Sequence, residues 1–420
     1  MKLFTAYLIC VYILAAALSA RAGEDSGKDS GSFFSDLSSR EYMTGDWGGL
    51  RDRITDWGLT PTATYSAAIL GNPAGGMKRG AKYAGLLNVY LDFDLEKLLK
   101  LGGTRLVVSG SWAYGENLSE DDVGNFFTAS SDFNGKSVSL YQFFIETNLW
   151  NEIVTFALGR MGIGDDFATA EVFGVYVNDA FNQHPISLSY DIPAFLSNPD
   201  AALGSRISVR PADEFYIAAG AYSADPESTR ISEESADVDF TFGDGVILIS
   251  EAGYTPGRSD GSAGLPGDYK FGAYYDTGDF DEFSGDEQTR QGNYGFYIVA
   301  DQMVYGEPGD GSQGLTLWAT ATYAPEEEIN LFPFFLSGGL VYEGLFPGRS
   351  KDISGFGFAY GKLSRDLEDR DYEIGVEGTY IFQVTPWLGL QPDVQLIVHP
   401  GGNAGIPDAL VAGMQLSVDI

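Results

Sequence analysis

The sequence predicts an all-β protein, a transmembrane antiparallel β-barrel. Three observations carry this. No apolar run after residue 22 approaches a membrane-spanning helix, although 44% of the residues are hydrophobic. That hydrophobicity is spread in two-residue alternation with 54 Gly, 28 Phe and 24 Tyr, as a lipid-facing wall with aromatic girdles requires. The alternation continues to the last residue: Leu410, Ala412, Met414, Leu416, Val418 and Ile420 share one parity, and Val411, Gly413, Gln415, Ser417 and Asp419 the other. An open edge strand invites aggregation, whereas a barrel pairs its last strand with its first. Composition alone also fits a large secreted β-sandwich, and the closing strand alone fits the edge of one.

Taken in order, residues 1–22 read as a secretory signal, with Lys2, the apolar stretch 3–18 and the small-x-small Ala20-Arg21-Ala22. The only cysteine, Cys10, lies inside it, preceded by Ile9 where a lipoprotein signal has a small residue. The mature chain then has no disulfide and no thiolate metal site. Loss of Lys2 and Arg21 takes the formal charge from −34 to −36, which excludes a generic nucleic-acid binder. Acid clusters at Glu120-Asp121-Asp122, Glu227 to Asp239, Asp279 to Glu287 and Glu326 to Glu328. These read as solvated loops; the sharper reading is divalent-cation bridging to phosphate-rich surface lipid.

Residues 23–41 are a Ser-, Gly- and Asp-rich flexible lead-in. In 42–58, Asp46 can cap a short helix, Leu50, Ile54 and Trp57 share a face that must dock on something, and Gly58 can end it. We expect this segment at the periplasmic mouth. From residue 59 to 420 the period is two. Alternating segments fall near 60–70, 83–95, 104–114, 138–149, 153–162, 204–210, 214–224, 246–256, 269–277, 293–304, 314–324, 334–344, 354–363, 372–383, 387–398 and 409–420. Connections after odd-numbered segments, such as 115–137, 163–203, 225–245 and 278–292, are long. Those after even-numbered ones, such as 151–152, 211–213 and 384–386, are short, although 257–268 is long for a turn. Long outer loops and short inner turns are the outer-membrane pattern.

The polar parity should face a wet lumen. It carries Arg105, Glu146, Arg206 and Arg210. In 153–162, the parity that sends Phe156 and Leu158 to lipid sends Arg160 there too, so a bulge or early end is expected. Residues 163–203 combine Asp165, Asp166, Glu171, His184, Asp191 and Asp200 with six aromatic rings, too many for a free linker. An inward fold that narrows a pore would shelter those rings, and a lid on the outer rim is the alternative. The two histidines, His184 and His399, lack metal-ligand spacing, and no nucleophile elbow or phosphate-cradling loop is present. We therefore expect no enzyme activity and no cofactor or metal. A hydroxylated solute entering a constriction loses water, and charged side chains must replace those hydrogen bonds. Binding near about −4 kcal/mol, roughly millimolar, still lets it leave. The plainer alternative is a non-selective, cation-preferring pore.

Several motifs together resemble the carbohydrate-selective outer-membrane porins of Gram-negative bacteria, the glucose-type porins. They are Thr44-Gly45-Asp46-Trp47-Gly48-Gly49-Leu50-Arg51, Leu158-Gly159-Arg160 with Asp165-Asp166-Phe167-Ala168, Gly204-Ser205-Arg206, Asp301-Gln302-Met303-Val304-Tyr305, Gly344-Leu345-Phe346-Pro347-Gly348-Arg349, and Thr385-Pro386-Trp387-Leu388 through to His399-Pro400-Gly401-Gly402. The resemblance spans residues 41–420. It implies about 16 strands, a count read together with the segments above and not apart from them. It also implies inward-folded constriction loops and passive diffusion of monosaccharides such as glucose. It adds Arg160 and Arg206 as lumen residues and supports 163–203 as the constriction loop. Expected partners are the sugar, outer-membrane lipid and lipopolysaccharide bridged by divalent cations, and the barrel-assembly machinery, with no nucleic acid. The protein would be a monomer or homotrimer. The chain departs from the usual pattern in ending on Ile420, where such barrels carry an aromatic.

Overall fold

The alternating segments form sixteen antiparallel strands, each hydrogen-bonded to its sequence neighbours, and the first closes on the last. The computed structural model describes residues 36–132, 135–225, 245–258, 264–284, 288–308 and 313–420. The 1–22 signal, most of the 23–41 lead-in, the acidic stretch Glu227 to Asp239 and residues 285–287 lie outside the described residues. The strands are β1 (Leu59–Ala74), β2 (Ala81–Asp94), β3 (Thr104–Gly115), β4 (Ser137–Leu149), β5 (Val154–Met161), β6 (Ala202–Ala212), β7 (Phe215–Ser223) and β8 (Val246–Tyr254). They continue with β9 (Gly267–Asp281), β10 (Thr289–Gly306), β11 (Gly314–Tyr323), β12 (Phe334–Glu343), β13 (Ile353–Lys362), β14 (Tyr372–Thr385), β15 (Leu388–Val398) and β16 (Ala409–Asp419). At the seam β1 and β16 pair from Thr64 with Asp419 to Ala74 with Leu410.

The apolar parity faces outward. Phe143, Ile145, Phe156 and Leu158 are exposed there, as are Leu410 and Met414 of the closing strand. On the inner wall glycine makes room for tyrosine. A Cβ at Gly272 or Gly295 would strike the ring of Tyr297 or Tyr274, each directly across or beside it on the neighbouring strand. These tyrosines are buried. The abundance of both residue types is thus one packing device.

Three local readings need correction. The 278–292 connection is largely strand, because Asp279 pairs with Gln291 and Asp281 with Thr289; a bulge between Gln291 and Asn293 hides the continuous alternation. The single-parity reading of β4 puts Tyr141 outside, but a bulge against Ser109 and Gly110 turns it inward, where it is buried. Asp46 does not cap the helix α1 (Leu50–Trp57); its carboxylate accepts the N–H of Gly48, and Gly49 in the left-handed region starts the helix while Gly58 ends it.

The segment before β1 straps the seam. Met43 N–H donates to Asp419 O at 2.8 Å, and Trp387 Nε1 donates to Leu37 O at 2.8 Å. Arg51 is buried, with its guanidinium 3.9 Å from the Tyr42 ring centroid and 4.4 Å from that of Trp47, and Nη2 donates to Ile420 O at 3.0 Å. Leu50 and Trp57 of α1 stay exposed, so the apolar helix face does not plug the barrel.

Candidate functional site: a charged lumen wall and the loop opposite

Strand register sets the central feature. Arg105 on β3 lies opposite Glu146 on β4, Glu146 opposite Ala157 on β5, and Ala157 opposite Arg206 on β6. Ala157 offers only a methyl group, so Arg206 reaches across β5 to the carboxylate. Arg105 Nε donates to Glu146 Oε1 at 2.8 Å, and Arg206 Nη2 donates to Glu146 Oε2 at 2.5 Å. Arg105 Nη1 also donates to Asp92 Oδ2 at 2.8 Å, and Arg206 Nη1 lies 2.7 Å from Asp166 Oδ1. The result is one chain of alternating charge, Asp92–Arg105–Glu146–Arg206–Asp166. Arg105 is the second residue of β3, so one end of this chain lies toward the short-turn mouth. The Arg105 side chain keeps 44% of its surface open and Arg206 18%.

Asp165 sits beside this chain. Its Oδ2 accepts the Tyr141 hydroxyl and Gln142 Nε2, the latter at 2.8 Å. Further along the same wall Asn198 Nδ2 donates to the Tyr90 hydroxyl at 2.9 Å. Tyr141, Gln142, Tyr90, Asn198 and Asp92 are members of this site that alternation alone does not single out.

Residues 163–203 lie inside the barrel and reach the far wall. Phe167, Phe173, Tyr176, Phe181 and Phe195 are buried. Phe173, Tyr176 and Phe181 surround Trp318 of β11 at ring separations of 5.3–6.0 Å. Strand carboxylates then hold the loop by its backbone. Glu377 accepts Val177 N–H at 2.7 Å and Asn178 N–H at 2.9 Å, and Glu251 accepts Ala168 N–H at 2.9 Å. The β3–β4 loop joins it: Glu373 accepts the N–H groups of Phe126 and Phe127, and Ser131 N–H donates to Val177 O at 2.9 Å. Loop aromatics and buried carboxylates therefore pack the loop against β8, β11 and β14, while Asp165, Asp166 and Asn198 of the same loop meet the charged wall.

The model of the carbohydrate-selective porin family, the OprB family, matches residues 78–419. The chain belongs to this family. It is 26% identical to Porin B of Pseudomonas aeruginosa over 418 residues, covering 90% of each chain. The high-pH structure of Pseudomonas putida OprB superposes with a TM-score of 0.82 at 26% identity, over 91% of this chain and 99% of that one. The low-pH structure of the same protein gives 0.62 at 23% identity over the same shares, a likeness of fold. The protein is thus an integral outer-membrane porin, a carbohydrate-selective channel whose inner surface is a path for sugar.

Of the residues expected to line this porin's pore, Arg105, Glu146, Arg206 and Asp166 come together in the alternating chain and Asp165 joins its edge. Two do not. Arg210 sits at the β6–β7 turn, where Nη1 donates to Asp213 O at 3.0 Å and the guanidinium lies 5.5 Å from the Tyr216 ring. Arg160 is 3% exposed at the outer end of β5, with Nε donating to Leu140 O at 3.1 Å. Gly159 has φ +143, and a Cβ there would strike Phe143 O, so the strand end twists as only glycine allows. That twist and the end of β5 at Met161 keep Arg160 out of lipid.

Burial is the main influence on the two loop carboxylates. It pushes Asp166 up to about 7, against the pull of Arg206, and Asp165 up to about 6, against the hydrogen bond from Tyr141. His184 is driven down to about 4 by burial and is held between the hydroxyls of Ser189 and Ser197 at 2.7 and 2.8 Å. It fastens the loop as a neutral ring. Among the described residues no group of three or more His, Cys, Asp or Glu could hold a metal ion.

Proposed function

We propose that this porin passes monosaccharides such as glucose by passive diffusion, with Arg105, Glu146 and Arg206 as the contact surface. The observation that carries the reading is the alternation of donor and acceptor along one wall. A sugar hydroxyl donates to a carboxylate and accepts from a guanidinium, so a molecule carrying several can trade water for wall at each step. Asp165 and Asp166 supply acceptors from the loop side. The barrel closes within one chain, which suits a monomer or a homotrimer of independent barrels. The described acids at 121–122 and 326–328 are ion-paired with Lys78, Lys82, Arg290, Lys362 and Arg365. Divalent bridging to lipopolysaccharide therefore rests on the acidic sequence alone, and the barrel-assembly machinery suits insertion of the closing strand. The test is single-channel current in planar bilayers with glucose, then a disaccharide, added to one side. Partial block is expected. Current indifferent to high sugar, with strong K⁺ preference in a salt gradient, would reduce the protein to a general cation-preferring pore.

A further inference from the structure

The β12–β13 turn, residues 344–352, is long for the side that carries both chain ends, and its sequence motif plays no part in the lumen. It folds outward. Gly344 N–H donates to Asp352 O and Arg349 N–H to Phe346 O, which places Phe346 and Arg349 against the outer face of β14. There Phe346, Tyr380 and Phe382 stand with ring separations of 5.7 and 4.4 Å. Together with Arg349, Val384 and Leu390 they line a cleft of about 610 Å³. The cleft has a continuation. Gly378, on the same face of β14, leaves open space, because a Cβ there would meet nothing within 4 Å. Its cross-strand neighbours Phe356 and Val394 are exposed and form the sides of a furrow.

An apolar furrow on a barrel wall is covered by lipid chains in any case. What marks this one is the charge at its end. Arg349 is gripped by Asp352 at 2.7 and 2.8 Å, yet its side chain is 43% exposed. Asp352, the only acid of the turn, is buried beneath it with 2% of its side chain exposed. Lys351 beside it is exposed and has no hydrogen-bond or ion-pair partner among the described residues. In a chain of 59 acids and 25 bases, the turn therefore presents only positive charge. Short-turn ends face the periplasm, where the bilayer leaflet is phospholipid.

We propose that this cleft binds a phospholipid of the periplasmic leaflet, with Arg349 and Lys351 on its phosphate and one acyl chain along Tyr380 and Phe382 to Gly378. A guanidinium and an ammonium at the mouth of an apolar furrow match an anionic headgroup above a hydrocarbon tail. The test uses the whole purified barrel in detergent, offered palmitoyl-oleoyl phosphatidylglycerol, the diacylglycerol with the same chains, and lipid A, with retained lipid read by native mass spectrometry. Wild type should keep phosphatidylglycerol in preference to the other two. The double variant Arg349→Gln, Lys351→Gln should keep it at least about ten-fold less well, since both charged contacts to the phosphate are lost. Gly378→Leu fills the furrow without touching charge or the turn, and should lower retention of phosphatidylglycerol and diacylglycerol alike. Sugar block should be unchanged in every variant, since the cleft is outside the lumen. Equal retention of diacylglycerol, preference for lipid A, or a change in oligomeric mass instead of lipid retention would each overturn the proposal.

Discussion

On β4 the carboxylate of Glu146 lies between two arginines; on β14 that of Glu377 lies between two loop amides. Both side chains are buried and both face the lumen, so neither composition nor parity separates them. Their partners do. Arg105 and Arg206 keep part of their surface open, and a passing solute can borrow their donors. The amides of Val177 and Asn178 are enclosed, and lending them would undock the loop. Of these two buried acids one is therefore a rung and the other an anchor, and what separates them is whether the partner is an open side chain or enclosed backbone.

The strongest way to break this distinction is Glu377→Leu. It orphans two buried N–H groups, at about 1–3 kcal/mol each, so the 163–203 loop should leave the wall. Single-channel conductance should rise, open-state noise should increase, and limited proteolysis should newly cut the loop. Unaltered current would remove the anchor class.

Next comes Arg206→Ala. It takes one rung from between Glu146 and Asp166, and glucose block should weaken about ten-fold, one charge-assisted contact. The barrel should keep its heat-modifiable gel mobility. Lost folding with no change in residual block would make Arg206 an anchor instead.

A pH series sharpens the same contrast. Asp166 at about 7 and Asp165 at about 6 hold protons at a pH where the unfolded chain, with carboxylates near 3.8, does not. Native stability from these two should thus rise as pH falls from about 7 toward about 4 and level off below. The lumen loses negative charge over the same range, so reversal potentials should show cation preference declining between about pH 8 and pH 5. A flat profile would mean that Arg206 holds Asp166 ionised throughout. The smallest effect is expected for Arg210→Ala. Its guanidinium serves the β6–β7 turn and the Tyr216 ring, and sugar block should stay within about two-fold, under ~0.5 kcal/mol.

Much of the barrel is legible in the sequence because strand period and lipid contact impose the same alternation. Arg105, Glu146 and Arg206 follow from it directly. The exceptions share a cause. At Tyr141 a bulge inserts one residue and reverses the parity. At Arg160 a glycine with positive φ twists the strand end. Both are single-residue events that leave composition untouched. The anchors are illegible for another reason. Glu373 and Glu377 can be placed on the lumen face by parity, but their partners are main-chain amides of distant loops, which every residue except proline carries.

Position 157 has a wider effect than its size suggests. Since only a methyl group stands there, the two guanidinium groups flank one shared acid while each also holds an acid of its own. A travelling ion of either sign then encounters its own sign at every second step along that side. A neutral polyol, whose hydroxyls can give or take, finds a usable neighbour each time. The pattern sieves by chemical versatility, and a leucine at 157 would sever it without altering a single charge.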